Sequence, residues 1–382
     1  MKINRKEPIY LLILLQFVRM LNMGGYTKYL IPLGLSMLFV IYGKDTIKRN
    51  NAFILVPGFT YVFFGLMSSF ISGFLDSSSI KTGILLTISS VSVLFLYEKI
   101  IDHEIDICRV LFLAFAIYTA TFFTISFTRF SVVWESTRAF IYGAFVIYFL
   151  IKDDWLFCAF AAVFCYISDK RIALVGVVAA VFFVIAVAVI TRAFRIDTRR
   201  IFFITAILGT VTAYTMTYLI HTGLLVGFLE GHGISSTGRD TIWGIFRQFA
   251  QFDIGFTGQG LGFVTSKLEE FKISMSHSWF KNLHSDFYTG YIDLGFFGFG
   301  IWILSYFWAY GNLTKPVQDD DRPLLFAMGA IVYTFILYLT DNVLIYYEYW
   351  FPVNIMLLDL VNRRPCDHKE KLRLPTSPLC NC

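Results

Sequence analysis

Residues 171–191 read RIALVGVVAAVFFVIAVAVIT, an apolar run with a single charge, at its first position. A run of that length covers the ~30 Å hydrocarbon layer of a bilayer as a helix. In water it would be apolar on every side, which suits a membrane span and no surface helix. The same kind of run recurs along the chain. Spans are expected at 9–24, 27–43, 52–73, 80–98, 107–127, 138–151, 154–168, 171–191, 201–228, 287–310, 323–341 and 343–361. Composition agrees: of 382 residues 57% are hydrophobic and only 15% charged, with 42 Phe and 21 Tyr, more apolar surface than one soluble core hides. The expected fold is therefore all-α, a polytopic helix bundle of about 12 transmembrane helices forming one integral membrane domain over 1–382. The first run carries Gln16 and Arg19 and no small-residue cleavage site follows it, so it reads as a span and not a cleaved signal.

Charge assigns the sides. With an even number of spans both termini share one side, and 20 of the 32 Lys and Arg fall on it or on the loops that alternate with it. The clusters are Lys2, Arg5 and Lys6; Lys44, Lys48 and Arg49; Arg192, Arg195, Arg199 and Arg200; and a tail, 362–382, with Arg363, Arg364, Lys369, Lys371 and Arg373. Basic loops stay in the cytoplasm, which places both termini there and the chain in the inner membrane. The net charge of +5 is accounted for by these loops and gives no reason to expect nucleic acid. Six scattered Cys read as reduced thiols, and a tail metal site with His368 is set aside.

One connection differs. Residues 229–286 form a loop between the ninth and tenth spans far longer than any other, on the outer side. Its Trp, Phe and Gly content argues for order, and long ordered loops in compact proteins are usually functional. Within 239–252, Ile242, Trp243, Phe246, Phe249 and Ala250 line one helical face, so an amphipathic helix along the outer membrane surface is expected.

The chemistry-bearing residues gather on that side. Arg129, Arg138, Arg171, Arg239 and Arg247 lie near outer span ends with few matching acids. Singly, each serves equally well as an interfacial anchor. As a set they suit a ligand with several negative charges at the outer leaflet, because guanidinium holds phosphate oxygens in pairs and keeps its charge. A lipid diphosphate fits. His284, in Asn282-Leu283-His284-Ser285-Asp286, stands at the mouth of the tenth span, where an imidazole can accept a proton near neutral pH. Ser285 or Asp286 equally reads as the cap that opens the helix, and Asp286 is placed to orient His284. His277 and His284 lack companions at metal-ligand spacing, and Gly258-Gln259-Gly260-Leu261-Gly262 reads as a loop bend and not a nucleotide cradle. Neither metal nor cofactor is expected.

Thr237-Gly238-Arg239-Asp240-Thr241-Ile242-Trp243, the glycines 258, 260 and 262, and His284-Ser285 followed after nine residues by Gly295-x-x-Gly298 resemble the signature of the O-antigen polymerase and O-antigen ligase (Wzy/WaaL) superfamily. Arg247, ten residues, Gly258 and Ser168-Asp169-Lys170-Arg171 add to it, so the resemblance covers roughly 165–300. It implies a metal-independent enzyme that transfers a glycan from an undecaprenyl-diphosphate-linked donor to a sugar hydroxyl on the outer face of the inner membrane. His284 would be the catalytic base. Arg138, Arg171, Arg239 and Arg247 would hold the diphosphate, with Ser285 and Asp286 in support. Polymerases use a second lipid-linked glycan as acceptor, ligases use lipid A-core, and a flippase and a chain-length regulator are the further partners implied besides membrane lipids. Polymerase is the preferred reading, for O-antigen, capsule or exopolysaccharide. The ligase is the alternative, and a flippase or other transporter the third. A transporter should carry charges deep in its spans and paired repeats, and this sequence has few such charges and no repeat.

Overall fold

A computed structural model describes residues 49–100, 106–128, 138–233, 238–274, 283–317 and 320–362, with Gly34 and Met37. The expected spans 9–24 and 27–43, the 363–382 tail, Arg129 and His277 lie outside the described residues. The described residues are helical, without a strand. A 3-10 turn, Arg49–Leu55, leads into α1 (Val56–Ser72), followed by α2 (Ser77–Ile100), α3 (Ile107–Thr128), α4 (Arg138–Ile151), α5 (Trp155–Ile167), α6 (Arg171–Phe194) and α7 (Thr198–Thr222). The long connection holds α8 (Leu224–Gly231), α9 (Arg239–Phe246) with a 3-10 turn Arg247–Phe249, and α10 (Phe263–Ser274). α11 (Asp286–Leu313), α12 (Arg322–Thr340) and α13 (Tyr347–Asn362) complete the bundle.

Ten of the expected spans thus correspond in order to helices. Among the described residues six segments, including α6, α7, α11 and α12, are long and apolar enough to cross a membrane, so this is a multi-pass membrane protein. Helices α4 and α5 fall outside that group because they are short. α4 and α5 have 14 and 13 residues and reach only about 20 Å at ~1.5 Å per residue. α4 is nevertheless buried along nearly its whole length, whereas α6 and α7 turn Val175, Val178, Phe182, Phe203, Ile207 and Leu208 outward. The centre is therefore α4 with α11 to α13, and α6 and α7 are peripheral.

Without a hydrophobic drive between helices in lipid, close packing of small residues must hold them together. Gly143 on α4 and Gly176 on α6 both lie against the ring of Tyr333 on α12, whose hydroxyl donates to the Phe140 carbonyl at 3.1 Å. Polar contacts fall into two layers at opposite ends of the bundle. One contains Arg109 on Asp154 (2.6 Å), Lys152 on Asp106 (3.0 Å), Tyr148 on Asp359 (2.5 Å) and Asn362 on Asn51 (3.2 Å). The other contains Lys170 on Asp341 (3.1 Å), Ser266 on Asp76 (2.6 Å) and the long connection.

Two expectations change. The run 201–228 does not continue as one helix: α7 ends at Thr222, and Gly223, at φ +79°, turns the chain into α8. The amphipathic segment is also shorter and differently seated. Ile242, Trp243, Phe246 and Ala250 are buried, and the Phe246 ring meets Phe249 and Phe271, so the apolar face packs on protein and not on lipid. Amphipathicity specifies a face but not what covers it.

Candidate functional site

α11 is interrupted at Gly295, whose φ of +73° and ψ of −178° are open to glycine almost alone. The break frees the carbonyls of Ile292 and Asp293 from helical partners. The glycine turn of the loop replaces them: Gln259 N–H donates to Ile292 O at 2.8 Å and Gly260 N–H to Asp293 O at 3.1 Å. Irregular backbone survives at membrane depth only when its polar groups are satisfied in this way. A Cβ on Gly258 would come within 2.5 Å of Gly295 N, so two facing glycines allow the approach. The Asp293 carboxylate, 1% exposed, completes the joint by accepting from Gly262 N–H (3.1 Å), Val264 N–H (3.2 Å) and Tyr61 O–H (3.1 Å). The long loop is thereby fixed to α11 and α1.

His284 sits where that loop returns to the bundle. Its φ is +55°, a left-handed conformation uncommon for a side chain of this size. Its N–H donates to Asn342 Oδ1 at 2.9 Å, and the preceding Leu283 carbonyl accepts from Trp243 Nε1–H at 2.8 Å. Ser285 caps α11, accepting from Tyr288 N–H at 3.3 Å and donating to Tyr338 O at 3.2 Å. Asp286 is buried, and Oδ2 accepts from Leu344 N–H at 2.7 Å while Oδ1 faces the Asn342 amide at 3.5 Å. The 283–286 turn is thus gripped by α9 on one side and the 341–344 turn on the other.

The arginines divide into two groups. Arg239, half-buried, opens α9 one turn before Trp243 and shares its side of the helix. Arg247 follows α9 and lays its guanidinium against Gly223, where a Cβ would come 2.5 Å from Nη2. The Arg247 charge acts on both Tyr288 and His221, and His221 Nδ1 lies 3.2 Å from the Tyr288 hydroxyl. Tyr288 is one turn beyond Ser285, so Arg247 acts on the turn of α11 that follows His284, and Arg239 lies on the helix whose Trp243 holds Leu283. Arg171, exposed, and Arg138, half-buried, begin α6 and α4 on another side. What ties that side in is Lys170: it pairs with Asp341, whose Oδ1 accepts from Asn342 N–H at 3.0 Å, and Asn342 in turn holds His284.

Lys170, His221, Tyr288, Asp341 and Asn342 are not candidates on sequence grounds. Lys170 and Tyr288 stand within the quoted motifs but look like neighbours. Asp341 and Asn342 are far away in the chain, at what reads as a span end, and nothing local marks them. Among the described residues no three His, Cys, Asp or Glu side chains group to hold a metal.

Residues 156–303 match the O-antigen ligase family model. The matched segment runs from α5 into α11 and carries Lys170, Arg171, His221, Arg239, Arg247 and His284. No curated protein and no solved structure matches the chain.

Proposed function

Membership of the O-antigen polymerase and ligase superfamily rests on residues 156–303, and from that premise we propose that the chain polymerises undecaprenyl-diphosphate-linked glycan repeat units on the outer face of the inner membrane. A glycan-transferring activity of the O-antigen polymerase or ligase type is what the family match supports; the polymerase assignment and the residue roles are our reading. The observation that carries the roles is the strained His284 turn held between the arginine-bearing α9 segment and the Lys170–Asp341–Asn342 chain. Strain of this kind persists where surrounding structure over-determines it, commonly at functional sites.

In this reading Arg239 and Arg247 hold the diphosphate, and Arg171 and Arg138 line its approach. The acceptor hydroxyl oxygen attacks the anomeric carbon while His284 takes the hydroxyl proton. The bond from that carbon to the diphosphate oxygen breaks, and the lipid diphosphate leaves with the electron pair. Guanidinium groups fixed beforehand stabilise the charge that grows on the leaving group. Ser285 and Asp286 hold the turn, and no metal takes part. Arg138 opens the short α4 and Arg171 opens α6 directly after the short α5, so both sit at the end of the bundle that holds Lys170 and Asp341.

The ligase is the second reading, favoured by the matched family's description and by the single dominant outer loop. Purified protein in vesicles, supplied with a lipid-linked single repeat unit, separates the two. A ladder of longer lipid-linked chains supports the polymerase. Transfer only after lipid A-core is added supports the ligase. No transfer in either mixture overturns both.

A further inference from the structure

His221 is the last-turn histidine of α7, and its surroundings suit an anion. Its Nδ1 lies 3.2 Å from the Tyr288 hydroxyl. Two residues on, Gly223 leaves space for the Arg247 guanidinium, which a Cβ there would displace. Among the described residues Arg247 forms no ion pair, and its Nε is buried with no hydrogen-bond partner. Two cationic groups side by side repel, and an anion between them makes each favourable to the other.

We propose that His221 is the second cation of the diphosphate site and takes up one proton when the lipid-diphosphate donor binds beside Arg247. The inference rests on the reading of Arg247 as a diphosphate ligand. In the empty site Tyr288 O–H donates to Nδ1 of a neutral imidazole. When donor binds, Nδ1 takes a proton from solvent and donates to the Tyr288 oxygen, and the Tyr288 hydrogen turns to a phosphate oxygen. No bond other than these to hydrogen changes. The groups facing His221 are Arg247 from the loop and Tyr288 from α11; Phe252 from the loop does not titrate, and the Asp253 carboxylate is engaged by Gly255 N–H at 2.6 Å. His221 therefore has no carboxylate beside it among these contacts to supply the negative charge, and the donor supplies it.

The test is binding of a farnesyl–diphosphate–glucose diester, whose diphosphate has no group titrating near neutral pH, to the full chain in nanodiscs. Affinity is measured from about pH 5.5 to about pH 8.5, across the range where imidazole titrates. Uptake of one proton tightens binding as pH falls, up to about tenfold per pH unit. The wild-type profile should show this slope, His221→Gln should flatten it and bind more weakly at low pH, and Tyr288→Phe should weaken binding while keeping the slope. A flat wild-type profile overturns the inference, as does a slope that His284→Asn abolishes and His221→Gln preserves. Those outcomes leave the diphosphate reading intact if Arg247→Gln still loses binding. If the diester fails to bind wild type, or Arg247→Gln binds it normally, the diphosphate reading itself falls.

Discussion

At the scale of single residues, the backbone at His284 sharpens the test of its role. A left-handed φ of +55° disfavours most side chains, whereas Asn tolerates it. His284→Ala therefore mixes a backbone cost of about 1 kcal/mol with loss of the imidazole. His284→Asn keeps the turn and removes only the proton acceptor. The expected outcome is normal levels of inserted His284→Asn protein with transfer reduced by about 10²–10⁴, as for a lost general base. Full activity in that variant would remove His284 from proton transfer. Arg239 gives a second expectation. Arg239→Lys should keep the charge but still lower transfer, because ammonium lacks the planar fork that takes two phosphate oxygens. Wild-type rates with Lys, alongside loss with Ala, would reduce the role of Arg239 to charge attraction.

At the scale of elements, the joint between α11 and the glycine turn decides whether the site exists. Gly295→Ala adds a Cβ against the Thr257 and Gly258 backbone at a φ and ψ that Ala avoids. The expected loss is at least about 3 kcal/mol, read as a lower melting temperature of the detergent-solubilised protein and reduced yield. Gly231→Ala, with open space around its Cβ, is the matched control and should change stability by less than about 0.5 kcal/mol. Equal behaviour of the two would mean that the loop does not dock on α11 as described. Asp293→Asn belongs to the same element. Its amide turns a donor toward Gly262 or Val264 N–H and should cost about 1–3 kcal/mol by leaving one of them unsatisfied.

At the scale of the whole molecule, the two polar layers make topology testable apart from chemistry. A reporter fused after Gly262 should behave as extracytoplasmic, and reporters after Arg195 and Arg373 as cytoplasmic. The charge bias of the loops is the reason. If the Gly262 fusion reports the cytoplasm, the layer holding His284 faces the wrong side for lipid-linked glycan. Packing agrees with a division of labour between helices. The central α11 and α12 are largely buried and α11 follows directly on the His284 turn, while α6 and α7 turn large apolar side chains outward.

Apolar runs, the loop charges and the spacing of glycines and arginines determine a helical membrane protein, the order of its helices and the place of its one long loop. Those signals are local, since a span needs about 20 consecutive apolar residues and a positive loop needs only its own charges. Tertiary structure alone decides what Asp341 and Asn342 do, because they meet Lys170 and His284 through space and not through any spacing in the chain. It decides that Gly223 ends α7 and makes room for Arg247, and that Trp243 points into protein. A hydrophobic run does not report a bend at one glycine, and an amphipathic face does not report its partner. The bundle supplies both, because inside lipid every broken helix and every buried polar atom must find its partner within the chain.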